Sequence, residues 1–181
     1  MAKLAMILIC STMLLSSCVK NATQGNNMSN NKIDTAINSF VLRDTSSMPN
    51  IKFLKRNTID DFDMGEGICF SNSSYTEFLF MVKEMGGYEN QYSYFYLLDS
   101  VPHAYDEKVI KLSEANFVTS LGLYLGCQKE EFIKMTEGKE FEVNNINDGI
   151  LYSYTDSTEL YSCKYIFQNN RLRQIEFGYI W

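Results

Sequence analysis

An α+β fold, made of antiparallel β-meanders with one or two short helices packed on one face, is what the sequence predicts. Three observations carry that prediction. The C-terminal part has aromatic-rich runs at 150–155, 160–167 and 172–180, separated by Asp156-Ser157-Thr158 and Asn169-Asn170. The first half has a comparable series at 67–71, 76–84 and 91–99. Between the two lies one short amphipathic stretch, 128–135. Apolar runs bounded by polar turn residues read as hairpin strands, because Asn and Asp tolerate the backbone that tight turns require.

Taken in chain order, residues 1–3 give a short basic start, 4–15 are almost wholly apolar, and Ser16 and Ser17 precede Cys18. This is the layout of a cleaved secretory signal. The apolar run is about a dozen residues, whereas a helix needs about 20 to cross a bilayer, so it is not read as a span. Leu15-Ser16-Ser17-Cys18 resembles the bacterial lipobox, whose cysteine is acylated and becomes the first mature residue. The resemblance implies a lipoprotein signal peptide over 1–17 and lipidation at Cys18. Acyl chains add about 0.8 kcal/mol per buried methylene, enough together to hold a protein on a membrane surface. Residues 18–32, rich in Asn, Ser, Thr and Gln, read as a flexible tether. Val19 rather than Asp follows the cysteine, which by the sorting pattern of other bacterial lipoproteins disfavours inner-membrane retention. The expected location is the cell envelope, lipid-anchored at the outer membrane and facing the periplasm or the surface.

The body then divides into an N-terminal β-rich unit, 33–102, and a C-terminal α+β unit, 103–181. Two patterns compete over 76–84. Ser74-Tyr75-Thr76-Glu77 has capping-box spacing and Phe78, Met81, Val82 and Met85 have helical spacing. The strand is preferred, because 91–99, with Tyr92, Tyr94 and Tyr96 alternating, needs a neighbour and Gly86-Gly87 suits a hairpin. Val101-Pro102-His103-Ala104-Tyr105-Asp106 breaks the pattern and links the halves. Two α+β units and one continuous sheet both fit, and a duplication of two similar halves stays open. In 128–135, Phe132 and Met135 sit three apart with polar residues opposite, as for a short helix lying on a sheet. In the last strand Arg173, Ile175, Phe177, Tyr179 and Trp181 share one face, and Leu172, Gln174, Glu176, Gly178 and Ile180 the other, so one face packs and the other is wetter.

Composition narrows the chemistry. The chain has 181 residues, 45% hydrophobic and 21% charged, the balance of an ordinary globular protein rather than a disordered or multi-spanning one. With 16 basic against 22 acidic residues it lacks the cationic field that attracts phosphate backbones, so nucleic acid is not expected as a partner. One His leaves no material for a site of several imidazoles. Of five cysteines, Cys69, Cys127 and Cys163 remain in the body. An oxidising envelope permits a Cys127–Cys163 disulfide, but buried small hydrophobes explain the residues equally well.

The run Leu121-Gly122-Leu123-Tyr124-Leu125-Gly126-Cys127-Gln128-Lys129-Glu130-Glu131-Phe132, followed by the aromatic meander through Phe167-Gln168-Asn169-Asn170-Arg171-Leu172, is similar to β-lactamase-inhibitor-protein-like domains and to the small SmpA/OmlA outer-membrane assembly lipoproteins. The resemblance covers the last third of the chain. It implies two helices against an antiparallel sheet and a protein-binding or assembly role without catalysis. It assigns no functional residue.

The candidate chemistry is sparse. His103 in its Pro-containing loop has no nucleophile-base arrangement around it and is read as a surface residue. Asp60, Asp61, Asp63 and Glu66 around Gly65 crowd oxygen ligands, but the calcium-loop spacing is not kept, and a solvated acidic turn is expected. Asn144-Asn145-Ile146-Asn147-Asp148-Gly149 is likewise read as a turn. No metal or cofactor is expected. Tyr92, Tyr94, Tyr96, Tyr179 and Trp181 are the candidate binding residues, since exposed rings on a sheet anchor protein partners or stack on sugars, although strand cores use the same residues. The expected function is a non-enzymatic, envelope-anchored lipoprotein that binds a protein partner or serves as a scaffold. A glycan-binding accessory lipoprotein is the alternative.

Overall fold

Side chains alternate across an extended chain, so the residues that share a face of a sheet are fixed by strand register. In the computed structural model, which describes residues 33–48, 58–62, 65–84, 86–88, 90–101, 107–158 and 160–179, that register organises almost the whole body. Cys18, the proposed tether, His103 and Trp181 lie outside the described residues. The elements are β1 (Ala36–Ile37), β2 (Phe40–Val41), a single 3-10 turn (Thr45–Ser47), β3 (Ile59–Phe62), β4 (Gly65–Ser71), β5 (Phe78–Lys83), β6 (Tyr92–Leu98), β7 (Ile110–Lys111), α1 (Lys129–Met135), β8 (Glu142–Ile146), β9 (Gly149–Asp156), β10 (Tyr161–Gln168) and β11 (Arg171–Tyr179). Antiparallel β1 and β2 form a small hairpin.

The remaining strands build one sheet in the order β3-β4-β5-β6-β11-β10-β9-β8, with β7 on β4. Every neighbour pair along that order is antiparallel, and β7 joins β4 in parallel through Phe70 and Ser71. The sheet therefore consists of two four-stranded meanders, β3–β6 and β8–β11, set side by side through their last strands. Residues 33–102 and 103–181 contribute to one continuous sheet and to one unit, Asn31–Trp181.

Within segment 76–84, Phe78–Lys83 is a strand. Leu79 and Met81 face the main core while Phe78 and Phe80 face the other side, and all four are buried. The helix-like spacing of its apolar residues comes from burial on both faces, which replaces alternation by a nearly continuous apolar run. The Asn169-Asn170 turn between β10 and β11 has φ of 50° and 61°. Both residues take the left-handed conformation of a two-residue hairpin turn, so Asn170 fills a position where Gly is common.

The main core lies on one face of the sheet. Ile68, Phe70, Leu79, Met81, Phe95, Leu97, Ile175, Phe177, Cys163, Tyr165 and Phe167 supply it from the strands, and Phe117, Leu123, Cys127 and Phe132 cover it. Phe132 of α1 sits in an aromatic box, 4.9 Å from Tyr165, 5.1 Å from Tyr152 and Phe167 and 5.4 Å from Phe141 between ring centroids. The helix starts cleanly because the Gln128 N–H donates to Glu131 Oε2 at 3.0 Å, satisfying a backbone donor that has no intrahelical partner. Four rings around one Phe from a helix of two turns account for a short helix being stable there.

Three expectations need correction. A bulge opposite Ile166 and Phe167 shifts the register of β11, so Leu172 turns into the main core and Arg173 faces out to Asp99 at 3.3 Å. The alternation expected for the whole strand holds only from Gln174 onward, because a bulge reverses the pleat on one side of itself. Residues 144–149 are not one turn: the strand β8 runs through Ile146 and only Asn147-Asp148 turns. Asp60 and Asp61 likewise belong to strand β3 rather than to an acidic turn. Their side chains and those of Asp63 lie outside the described residues.

Candidate functional site

The tyrosine row of β6 is placed inside. Tyr92 and Tyr94 are 4% and 2% exposed. A register shift between Val82 and Lys83 turns Tyr92 toward the main core, while Tyr94 and Tyr96 stay on the opposite face with ring centroids 4.9 Å apart. Burial pushes both the Tyr92 and Tyr94 hydroxyls up to about 12, and the Glu176 carboxylate adds to the effect at Tyr94. Tyr96 is half-buried in a second, smaller cluster with Ile59, Cys69, Phe78 and Phe80. Tyr179 is half-buried, edge-on to Tyr161 at 5.8 Å and covered by the Arg43 guanidinium at 4.0 Å, which also pairs with Glu84 at 2.8 Å. These four rings do not form a common exposed platform. An alternating aromatic strand at the centre of a sheet packs on both sides, and alternation alone does not reveal a strand's position in the sheet.

The open surface is elsewhere. On the face away from the main core, the first meander carries the second cluster, with Ile59, Val101 and Val109 packed against Cys69, Phe78 and Phe80. The second meander carries on that same face Glu142, Asn144 and Ile146 from β8, Leu151, Ser153 and Thr155 from β9, Ser162, Lys164 and Ile166 from β10, and Gln174 and Glu176 from β11. Lys164, Thr155, Ile146 and the β8 residues are exposed, and Leu151, Ser153, Ile166 and Gln174 are half-exposed. Near the seam, Gln174 Nε2 donates to Glu176 Oε1, and Lys164 Nζ lies 3.6 Å from Glu176 Oε2. The result is a mixed surface in which two aliphatic side chains, Leu151 and Ile166, lie opposite one another between polar rows.

At its outer limit this half ends in β8, all five residues of which are exposed. Among the described residues no strand pairs its outer edge. Between α1 and β8 runs an apolar groove of about 330 Å³, lined by Phe132, Ile133, Phe141, Val143 and Tyr152, with Lys139 at its rim. Ile133 and Val143 are 53% and 54% exposed. The Lys139 ammonium is drawn over the Tyr154 ring at 3.8 Å, a cation–π contact. The sequence reading missed this edge because Glu-Val-Asn-Asn-Ile has only two apolar residues. The available signal was the two-residue turn Asn147-Asp148 leading into an evident strand.

Reactive groups are held in unreactive states. Cys69, Cys127 and Cys163 are all buried thiols. Burial, reinforced by the Glu131 carboxylate, pushes the Cys127 thiol up to about 11, and burial pushes Cys163 up to about 12. Thiols in that state are poor nucleophiles at neutral pH. Asp34 is fully buried; its carboxylate accepts from Tyr165 Oη at 2.8 Å, the Leu121 N–H at 3.0 Å and Ser120 Oγ at 3.3 Å, while Tyr161 Oη donates to its carbonyl at 2.7 Å. Burial nonetheless raises the Asp34 carboxyl above its ordinary value. This knot ties the backbone at Asp34 to β10 and to segment 119–121. Among the described residues no three His, Cys, Asp or Glu side chains converge to hold a metal, and no helix is long and apolar enough to cross a membrane. No protein-family model, curated protein or solved structure matches the chain.

Proposed function

We propose that the chain is a non-enzymatic, envelope-anchored lipoprotein whose second meander holds a protein partner or scaffolds an assembly. The observation that carries this reading is the unequal covering of one sheet: the face opposite the main core is packed in the first meander and, away from Ser162 and Glu176 near the seam, open in the second. A sheet half supported by a dense core on one side is a rigid platform, and rigid surfaces lose little conformational entropy on association. The lipobox-like Leu15-Ser16-Ser17-Cys18 and the polar stretch behind it would keep that platform near a bilayer at the outer membrane.

The glycan alternative needs exposed rings, and burial of Tyr92 and Tyr94 removes the row on which it rested. A glycan array remains its direct test: selective sugar binding lost on Tyr179→Ala would revive it. For the favoured reading, a photo-crosslinking amino acid at Ile166 in native cells is expected to give one discrete protein adduct by mass spectrometry. The same residue at Tyr88, which is 76% exposed on the far connection between β5 and β6, is expected to give none. Adducts equally abundant and diverse from both positions would overturn the platform. For the anchor, metabolic labelling with a fatty-acid analogue should mark the chain and fail in Cys18→Ala. Release of unacylated chain into the medium would overturn the envelope assignment.

A further inference from the structure

The outer edge of β8 has a definite hydrogen-bonding pattern. Ile146 pairs with Gly149 across the two-residue turn Asn147-Asp148, so their backbones exchange both hydrogen bonds. Bonded and non-bonded pairs alternate along an antiparallel ladder. Asn144 with Leu151 and Glu142 with Ser153 are therefore bonded pairs as well, and Val143 and Asn145 direct their N–H and C=O groups outward. Those four groups form a strand-shaped template. Natural sheets usually blunt such edges with charged residues, Lys above all, with Pro or with a covering loop, and here the charged residue is Glu142 at the start of the strand. Glu142–Ile146 contains neither Lys nor Pro, and all five residues are exposed.

We propose that β8 receives an extended strand of a protein partner by β-addition, with an apolar side chain of that strand entering the groove beside Ile133 and Val143. Main-chain bonds to Val143 and Asn145 would supply affinity, and the groove would supply specificity. A partner residue opposite Val143 lies on the same face as the Val143 side chain and next to the groove lined by Phe132, Ile133 and Tyr152.

Charge decides between a foreign strand and a second copy. Glu140, Glu142 and Asp148 are exposed around the edge, and the nearby Lys139 is engaged with Tyr154. Two copies pairing antiparallel so that all four outward groups of each are bonded match Val143 with Asn145 of the other copy. That register places Glu140 opposite the second copy's Asp148, twice by symmetry, and directly opposed like charges are destabilising. The complement of this edge is thus a strand of alternating apolar and polar residues carrying Lys or Arg toward its ends.

This inference rests on the protein-binding reading and can fail without it. The test is a displayed library of nine-residue peptides selected against the full chain purified in detergent. Enriched peptides are expected to alternate apolar and polar residues and to carry Lys or Arg. Their binding should fall at least about tenfold in Asn145→Pro, which removes an outward donor, and about tenfold when two alternate peptide amides are N-methylated, as expected for losing one or two hydrogen bonds. Because Asn145→Pro can disturb β8 itself, Ile133→Glu on the exposed groove rim serves as the second variant and should weaken the same peptides several-fold. Amide exchange gives a readout without substitution: the Val143 and Asn145 N–H groups should exchange fast in the free chain and become protected when peptide is added. No enrichment, a helical or proline-rich consensus, or peptides indifferent to both variants would overturn the proposal. So would a concentration-dependent dimer abolished by Asn145→Pro, because the occupant would then be a second copy. If these results are negative while Ile166 still crosslinks to one protein, the edge is excluded and the open face keeps its partner.

Discussion

The two meanders have the same strand count and direction, and they meet along β6 and β11, yet they are buried differently. In the first, Cys69, Phe78, Phe80 and Tyr94 on the outer face are almost wholly buried. In the second, Gln174, Lys164, Ser153 and Asn144 on that face are none of them buried, while Ser162 and Glu176, nearer the seam, are. The inner faces are alike, both lined by aliphatic and aromatic residues of the main core. The difference teaches that the fold needs only one covered face in each half. The polar outer face of the second meander is left largely uncovered, which is what the proposed recognition surface requires.

The largest expected effect breaks the support. Phe80 is 2% exposed on the outer face of β5, and Phe80→Ala should cost about 3–5 kcal/mol, the range for emptying a buried aromatic site. Ile166→Ala, on the corresponding face of β10, should cost about 1 kcal/mol or less, because a half-exposed side chain loses little burial. Urea denaturation of both variants measures the contrast. Equal losses would mean that the outer face of the second meander is packed as tightly as the first.

Next in size is the seam. A Cβ on Gly178 would overlap the Ser93 carbonyl oxygen and the Tyr94 backbone across the β6–β11 pair. Gly178→Ala must therefore part the two meanders locally, at a cost of about 1–3 kcal/mol by analogy with overpacking. Backbone oxygens cannot swing aside as a side chain can. Faster amide exchange at both β6 and β11 in this variant would show that the seam couples the halves, whereas exchange altered in β11 alone would show them to be independent.

A smaller effect concerns pH and tests the knot that fastens the chain to the second meander. The Asp34 carboxyl is raised above its ordinary value of 3.8, first by burial and against the pull of its hydrogen-bond donors. The folded state therefore holds this proton more tightly than the unfolded state. The resulting stability is fully present below about pH 4 and is lost as pH rises through the folded value. Asp34→Asn keeps an acceptor for the Leu121 N–H and cannot ionise. Relative to wild type, it should melt lower in acid and gain on it as pH rises, a crossing visible in melting temperatures from pH 3 to 7. Parallel pH profiles would mean that Asp34 titrates alike in both states.

Much of this comparison was readable from residue order. The six strands that carry aromatic runs, the helix at Phe132 and the Asn169-Asn170 turn announce themselves because apolar periodicity and turn chemistry are local properties. What stayed hidden is set by partners distant in the chain. Nothing in Tyr92-Ser93-Tyr94-Phe95-Tyr96 states that β11 lies beside it, so the sequence could not tell a central strand with buried tyrosines from an edge with exposed ones. The bulge that turns Leu172 inward and Arg173 outward depends on the register with β10. β8 escaped because its polar residues satisfy turn rules equally well, and only pairing with β9 makes it a strand. The candidate site is the part least visible in sequence, since openness is the absence of covering chain and not a property of the residues themselves.

The smallest expected effect sharpens the distinction between fold and function. Lys164 is 49% exposed and its ammonium lies 3.6 Å from Glu176. An ion pair so exposed at one end is screened by solvent, and Lys164→Ala should change stability by about 0–1 kcal/mol. Glu176 is mostly shielded and keeps its bond from Gln174, so the carboxylate is not left isolated. If the open face is a recognition surface, the same substitution should nonetheless reduce crosslinking from Ile166, its strand neighbour two residues on and on the same face. Unchanged melting with reduced crosslinking would place Lys164 at the interface. A large loss of stability would instead make it part of the packing, and the second meander would then have no face to spare.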